Sequence, residues 1–567
     1  MTARGGEWRY ILELVATAAG TGSFAPLPEN RPNLETALQR LRACPRDSFL
    51  HRYVLQMLAA LDPARQSAMR SATRGADLVF KALWAELSLL EEDPAHPTHA
   101  EESQIRPLAA ASPSILLRHA LLADRGSHAR WAALMAANLE FHRPLPGIED
   151  PQRPLLPERG CAAADAGVGL EAVSLNPRLC AAPPVPLAET IRTASTRLAR
   201  AGILVSGEMR HEASLSPVGL LHQWRFQRRV RSGGLDYRLG GFQTAYGRGF
   251  GLETARAAYL MEIVERFSAY GEFAPREVLG HRCATPLHQA PFSRMQADGR
   301  PALDPNDLML EVPYQDEPLF WRPAEAVGPG GRTEIWVPAQ CVYLFCNLDE
   351  PDLFSGLGST GLGAGNTMTQ ARLAALLEVV ERDAEALTPF SPGDCFAAQS
   401  TDPWLQSLLT HYDRCGIQVQ FQDLTGPLGV PCYKCFVVGP DGRIAKGTGA
   451  HPEGRRALLS ALTETMYPYP NGPVSGPGLP ALPVRPIEAL PDHGSGSMEA
   501  DLDRMERLLR ANGFRLLYVD LTRRDLDLPV VRAIVPGLSP MADYDRFARI
   551  NPRLIRRLEG LQRAHNG

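Results

Sequence analysis

The sequence predicts an α/β (α+β) fold preceded by an all-helical N-terminal region. Three observations carry that expectation. Apolar residues recur at helical spacing through residues 1–145. From about residue 183, helix-like and strand-like segments alternate, as in layered α/β proteins. A glycine-rich turn followed by an apolar helix bearing Glu-x-x-Glu-Arg occurs twice, 116 residues apart. The fold expected from 183 to 550 is therefore built of repeated glycine turn–helix–strand units.

Composition narrows the class. The chain has 567 residues, enough for about two to four domains, with 44% hydrophobic and 22% charged residues. Both fractions are ordinary for globular protein. A net charge of −4 gives no electrostatic case for nucleic acid or an anionic membrane surface. No apolar run reaches the length of a membrane helix, and Glu13 interrupts the first apolar stretch, which argues against a signal peptide. The expected location is the cytoplasm. Ten cysteines lie scattered, without the density of a disulfide framework. Cys432 and Cys435 form a lone C-x-x-C inside a strand-like segment, and no second ligand pair accompanies it.

Taken in order, "NLETALQRLRACP", "HRYVLQMLAALDP", "ADLVFKALWAELSLLEED" and "HARWAALMAANLEFH" read as helices of the N-terminal region, residues 1–145. A proline- and glycine-rich linker follows at 146–182. "PLAETIRTASTRLARAGI" reads as a helix, and "HQWRFQRRVR" and "YRLGGFQTAY" as strands. "ADLDRMERLLRANGFRLLYVDLT" reads as helix then strand, "DLPVVRAIVPGL" as a strand, and 470–491 as a proline-rich loop. Residues 551–567 read as a C-terminal tail.

The chemistry concentrates in the repeat. "ARAAYLMEIVERFSAY" carries Glu262, Glu265 and Arg266, and "ARLAALLEVVERDAEAL" carries Glu378, Glu381 and Arg382, with Glu385 extending the row. Positions i, i+3, i+4 and i+7 share one helix face. A single charged stripe is usually a solvated face; a recurring one behind matching glycines ("YGRGFG", "GLGAGN") asks for more. "KGTGAHPEG" followed by "RRALLSALTETMYPYP" is a weaker third copy, with Glu464 in the place of the first glutamate. Lysine occurs only at 81, 434 and 446. No Gly-Lys dipeptide exists, which excludes a Walker A loop, and no G-x-G-x-x-G opens a helix.

These motifs, with "SPVGL" at 216–220 and "VDLTRRDLDLPVVRAIVPGL" near the end, resemble the YcaO-like superfamily over residues 183–550. The resemblance implies ATP and Mg2+ as cofactors and ATP-dependent activation of a peptide-backbone amide, the step behind azoline and thioamide formation. It assigns Glu262, Glu265, Glu378 and Glu381 to magnesium. Arg248, Arg266 and Arg382 would contact phosphate, and Asn366 and Thr190 would lie in the nucleotide pocket. It implies a peptide or protein substrate and an accessory partner, TfuA-like or leader-binding, and allows a homodimer; nucleic acid and membrane are not expected partners.

The chain departs from the family pattern in several places. Arg248 stands in Gly247-Arg248-Gly249 where Lys is usual, Ala258 replaces a serine, and Tyr467 and Tyr469 replace a Gln-x-Arg pair before Pro468. The chain closes on "LQRAHNG", without the proline-rich terminus of azoline-forming members. These departures keep a second reading open, a non-catalytic docking or scaffold relative that still binds nucleotide. A third reading, an unrelated α/β protein with solvated glutamate faces, requires that the four glutamates do not converge. His451 reads as a turn-capping histidine ahead of substrate contact.

Overall fold

The computed structural model describes the chain apart from residues 1–7, 17–21, 74, 76, 92–101, 119–123, 152, 156–166, 177, 180–182, 355–356, 540–543, 545–547 and 567. The linker expected at 146–182 lies partly outside the described residues.

Three β-sheets organise these residues. The first is built on a long antiparallel hairpin, Val218–Ser232 with Leu235–Gly249, paired from Val218 opposite Gly249 to Ser232 opposite Leu235. Its cause is visible in "HQWRFQRRVR", where alternate residues Trp224, Phe226, Arg228 and Val230 are buried. The inward Arg228 is satisfied rather than stranded. It donates to the backbone oxygens of Phe267 (2.8 Å) and Tyr270 (2.9 Å), where the helix Leu252–Ala269 ends and carbonyls lack intrahelical partners.

The N-terminal region is not all-helical. Trp8–Ala16 and Gly22–Pro28 form an antiparallel pair, and Trp8–Ala16 also runs parallel to Leu235–Gly249, with Trp8 opposite Tyr237 and Leu12 opposite Gly241. "WRYILELVA" alternates, burying Tyr10 and Leu12, so the period-two signal was present. Its partner strand lies more than 200 residues downstream, and no local pattern announces such a pairing. The hydroxyl of Tyr10 donates to Asp47 (2.6 Å), and its ring packs edge-on to Tyr237 at 5.3 Å.

Helices do occupy the rest of this region: Leu34–Ala43, Ser48–Ala59, Pro63–Ala72, Leu78–Glu91 and Arg125–Phe141. Asn33, Asp47 and Asp62 cap the first three by accepting from backbone N–H groups one turn on. Leu38, Leu41, Val54, Leu83 and Leu87 share one core with Trp224, Leu260 and Ile263 of the following region. The segment expected as a tail carries the helix Pro552–Asn566, whose Leu554 and Leu558 pack with Trp131, Met135 and Leu387.

The second sheet runs in the order Gly331–Pro338, Leu319–Gly328, Leu516–Asp520, Val530–Ile534, Leu362–Ala364, antiparallel at every step. The third runs Ile444–Ala450, Cys432–Val438, Gln420–Asp423, Cys395–Gln399, Val484–Pro486. The proline-rich stretch 470–491 thus supplies an edge strand. It is held by reciprocal hydrogen bonds between Gln420 and the backbone of Leu479, 3.0 Å each.

Each sheet gives rise to one member of the repeat. Strands ending near Gly249, Ala364 and Ala450 lead into the helices Leu252–Ala269, Met368–Leu387 and Gly454–Glu464. The unit is therefore strand–helix, and the glycine equivalent in all three copies, Gly247, Gly363 or Gly449, lies in the strand. A β-carbon at Gly247, Gly363 or Gly449 would run into the backbone oxygen of Ala255, Ala371 or Ala457. It would also lie 2.9, 2.7 or 2.8 Å from the amide nitrogen of Tyr259, Ala375 or Ala461. Glycine is needed here so that helix backbone can lie directly on strand backbone. Ala at 363 has no flexible neighbour to displace. Gly363→Ala should cost about 1–3 kcal/mol by overpacking, read by denaturant unfolding. Gly207→Ala, where a β-carbon meets nothing within 4 Å, should leave stability unchanged.

Candidate active site

The glycine contacts place the three helices in equivalent positions. Glu262, Glu378 and Glu464 each stand fifteen residues after the close-packed glycine, and each is the eleventh residue of its helix. Glu464, left outside the predicted site, belongs to it by geometry. The third helix ends at Glu464 itself. Thr465 donates back to the Ala461 carbonyl (2.8 Å) and Pro468 follows, so no second glutamate or arginine can extend it.

The carboxylates face one another. Glu265 feels the charges of Glu378 and Glu262, Glu381 those of Glu378 and Glu464, and Glu262 that of Glu464. Four arginines lie among them. Arg266 is 3.6 Å from Glu265 and 3.9 Å from Glu262. Arg382 is 4.0 Å from Glu378 and 3.2 Å from Glu385. Arg248 pairs with Glu464, and Arg532 lies in the field of Glu378 and Glu265. The backbone N–H of Tyr246 donates to Glu262 at 2.8 Å. The glutamates of the two repeated helices therefore lie in one another's electrostatic field, which speaks against separate solvated faces.

Burial raises all four carboxyl groups above the ordinary range. Glu381 is pushed up to about 8: burial is the main cause, Arg382 opposes it, and Glu378, Glu385 and Glu464 add to it. Burial also pulls the Arg532 guanidinium down to about 10 against the pull of Glu378. Glu262 and Glu378 keep 30% and 22% of their side-chain surface exposed, so the cradle opens to solvent. Two buried donors in it, Arg248 Nε and Arg532 Nη1, have no hydrogen-bond partner. The unpaired guanidinium N–H groups suit an anion, and the crowded carboxylates beside them suit a cation.

Among the described residues, no three His, Cys, Asp or Glu side chains form a cage that would hold a metal ion by themselves. Magnesium keeps waters and phosphate oxygens and takes one or two protein carboxylates, so it does not require such a cage.

The remaining predicted residues lie at the other end of the second helix. Asn366 Nδ2 donates to Thr190 Oγ1 at 3.0 Å, joining the loop before that helix to the helix Leu187–Arg200. At a rise of about 1.5 Å per residue, the start of this helix at Met368 lies roughly 15 Å from Glu378. The predicted set thus falls into two groups, a carboxylate–arginine cluster and an amide–hydroxyl pair at the opposite end of the second helix.

Other expectations resolve plainly. Tyr467 is buried and donates to the Pro473 carbonyl (2.9 Å), and Tyr469 shares a 2.6 Å hydrogen bond with His411, so both leave the cradle. His451 accepts from the Glu453 N–H at 3.0 Å, a turn cap. Cys432 and Cys435 are buried, with thiols raised by burial. Sequence reasoning missed Arg532. Its one signal was a charged residue inside the apolar run "PVVRAIV".

The family model described as YcaO cyclodehydratase, ATP- and Mg2+-binding, matches residues 246–472 and 473–539. An uncharacterized protein of Methanothermobacter thermautotrophicus is 28% identical over 345 residues, 53% of this chain and 84% of the relative. A Rhizobium leguminosarum bv. trifolii protein, described as uncharacterized and in the tfuA 3′ region, is 27% identical over 235 residues, 38% of this chain. The matched region spans 53% of that relative's length. Among solved structures, YcaO from Methanopyrus kandleri bound with AMPPCP and Mg2+ aligns with a TM-score of 0.44 and 24% identity, covering 63% of this chain and 92% of that one. A heterocyclase in complex with substrate and cofactor aligns at 0.49 and 18%, covering 67% and 57%. The family match takes in both cradle helices, Glu464 and Arg532, and the chain belongs to the YcaO cyclodehydratase family, whose members bind ATP and Mg2+.

Proposed function

We propose that this protein uses ATP and Mg2+ to activate, by phosphorylation, a backbone amide of a peptide or protein, leading to a thioamide or azoline-type product. The observation that carries the reading is the convergence of Glu262, Glu265, Glu378 and Glu381 with Arg248, Arg266 and Arg382. In this reading the four glutamates hold magnesium, the arginines meet phosphate oxygens, and Thr190 and Asn366 take the far end of the nucleotide. When bound, Mg2+·ATP would supply the phosphoryl group that makes the amide carbon open to attack.

The residues are suited to their parts. Two carboxylates about 4 Å apart at an effective dielectric near 20 repel by roughly 4 kcal/mol, so the cluster gains from added cations. Charge gathers on the phosphoryl oxygens during transfer, and fixed guanidinium groups offset it without reorganising. Arg248 stands where a lysine is usual in the resemblance; its Nη1 donates to Glu464, and its buried Nε has no partner and suits an oxygen acceptor. The Rhizobium relative's place in the tfuA 3′ region supports an accessory partner of the TfuA type. A second reading, a docking relative that binds nucleotide without turnover, draws on Ala258, Tyr467 and Tyr469. It shares the cradle and differs in phosphate release.

Calorimetric titration with ATP and Mg2+ tests the site. Saturable, Mg2+-dependent binding is expected, lost in Glu378→Ala/Glu381→Ala; absence of binding by folded wild type counts against the reading. Phosphate release that rises on adding a peptide separates enzyme from docking relative.

The raised carboxyl groups set a pH dependence. Folded-state values above the unfolded ones mean the folded protein holds extra protons, so metal-free stability falls as pH rises. For Glu381 the window runs from the ordinary carboxylate range up to about 8. Denaturant unfolding across pH 5–8 should show this decline, and Glu381→Gln should reduce its slope; an unchanged slope would remove the assignment.

A further inference from the structure

Glu385 continues the charged row of the second helix, yet it leaves the cradle. Its side chain is 4% exposed and its carboxylate is shared. One oxygen accepts from Arg382 Nη1 at 3.2 Å, and the other is ion-paired with Lys446 of the third sheet. A chain of charges therefore runs Lys446–Glu385–Arg382 and ends at the carboxylates of the proposed nucleotide site. Arg382 keeps 38% of its side chain exposed, so one side of its guanidinium is open.

The chain has three lysines, at 81, 434 and 446, and two of them meet here. Phe436, the cross-strand partner of Lys446, and Phe390 lie under Lys434, whose Nζ is 5.8 and 5.5 Å from their ring centres. His142 stacks on Phe390 at 3.5 Å and closes this side. Lys434 is 1% exposed, and burial together with Lys446 draws it down to about 7. His142 is drawn down to about 2 by burial and the two lysines. Burial alone would raise Glu385, but Lys446, Arg382 and Lys434 hold it below the usual range. A buried carboxylate that stays ionised must be paired. Apart from Arg382, the cation placed to do so in direct contact is Lys446.

We propose that Lys446 and Glu385 are positioning residues for Arg382: Lys446 takes up the Glu385 charge, so that the Arg382 guanidinium stays available to the triphosphate. The inference rests on the nucleotide-binding reading above. Without Lys446, the whole demand of a buried carboxylate falls on Arg382 and draws it away from the cradle. Without either Lys446 or the Glu385 charge, Arg382 is released again.

The test is calorimetric affinity for ATP with Mg2+ in the full chain, for wild type, Lys446→Met, Glu385→Gln and the double variant, each checked for folding by circular dichroism. Lys446→Met should weaken binding about tenfold, the size of one charge-assisted contact. The double variant should return to within about threefold of wild type. Wild-type affinity in Lys446→Met overturns the proposal. So does a double variant as weak as Lys446→Met, because Lys446 would then touch phosphate itself. If Lys446→Met does not fold, Glu385→Gln decides: binding at least as tight as wild type supports the proposal, and weaker binding overturns it. Wild-type binding lost in Glu378→Ala/Glu381→Ala keeps the nucleotide reading whatever the lysine variants do. A folded wild type that binds nothing overturns that reading and this proposal together.

Discussion

Repulsion among carboxylates is the constraint on which the rest depends. Glu262, Glu265, Glu378, Glu381 and Glu464 come from helices that follow three different sheets and lie within one another's electrostatic reach. Nothing in such a group favours its own assembly. It is held by the close contact of strand and helix backbones at Gly247, Gly363 and Gly449, and by arginines brought in from the same elements and from Val530–Ile534. Packing stabilises the arrangement that electrostatics opposes, and the difference is available to a ligand carrying both cations and phosphate.

The glycines show how one signal can carry two meanings. Read as a sequence, "YGRGFG", "GLGAGN" and "KGTGAH" are turns through which backbone could approach a phosphate. In the fold, the glycine that recurs in all three is filled by the next helix. Its work is to fix where each helix begins, and hence where the eleventh residue falls. The cluster is a consequence of that spacing.

The two glutamate pairs and their arginines were legible because helical periodicity is local, and a motif that returns at one offset of 116 residues in all three charged positions makes coincidence a poor explanation. Glu464 was harder: its copy breaks at Pro468, so it kept the position and lost the motif. Arg532 was hidden, since a charge in an apolar strand reveals its partners only when the sheet forms. The N-terminal strands failed for the same reason. Trp8–Ala16 finds its parallel partner across the whole helical region, and burial of Tyr10 against Tyr237 depends on that closure. Scarcity of lysine read as composition alone, until Lys434 and Lys446 met over Phe390 and Glu385.

The central claim is that the cluster is a metal–triphosphate site. It is tested most directly with Mn2+ in place of Mg2+, by electron paramagnetic resonance in the presence of ATP. The account predicts at least one Mn2+ immobilised per chain with ATP, and its release in Glu265→Gln/Glu378→Gln. A folded wild-type protein that leaves Mn2+ and ATP free in solution would contradict it.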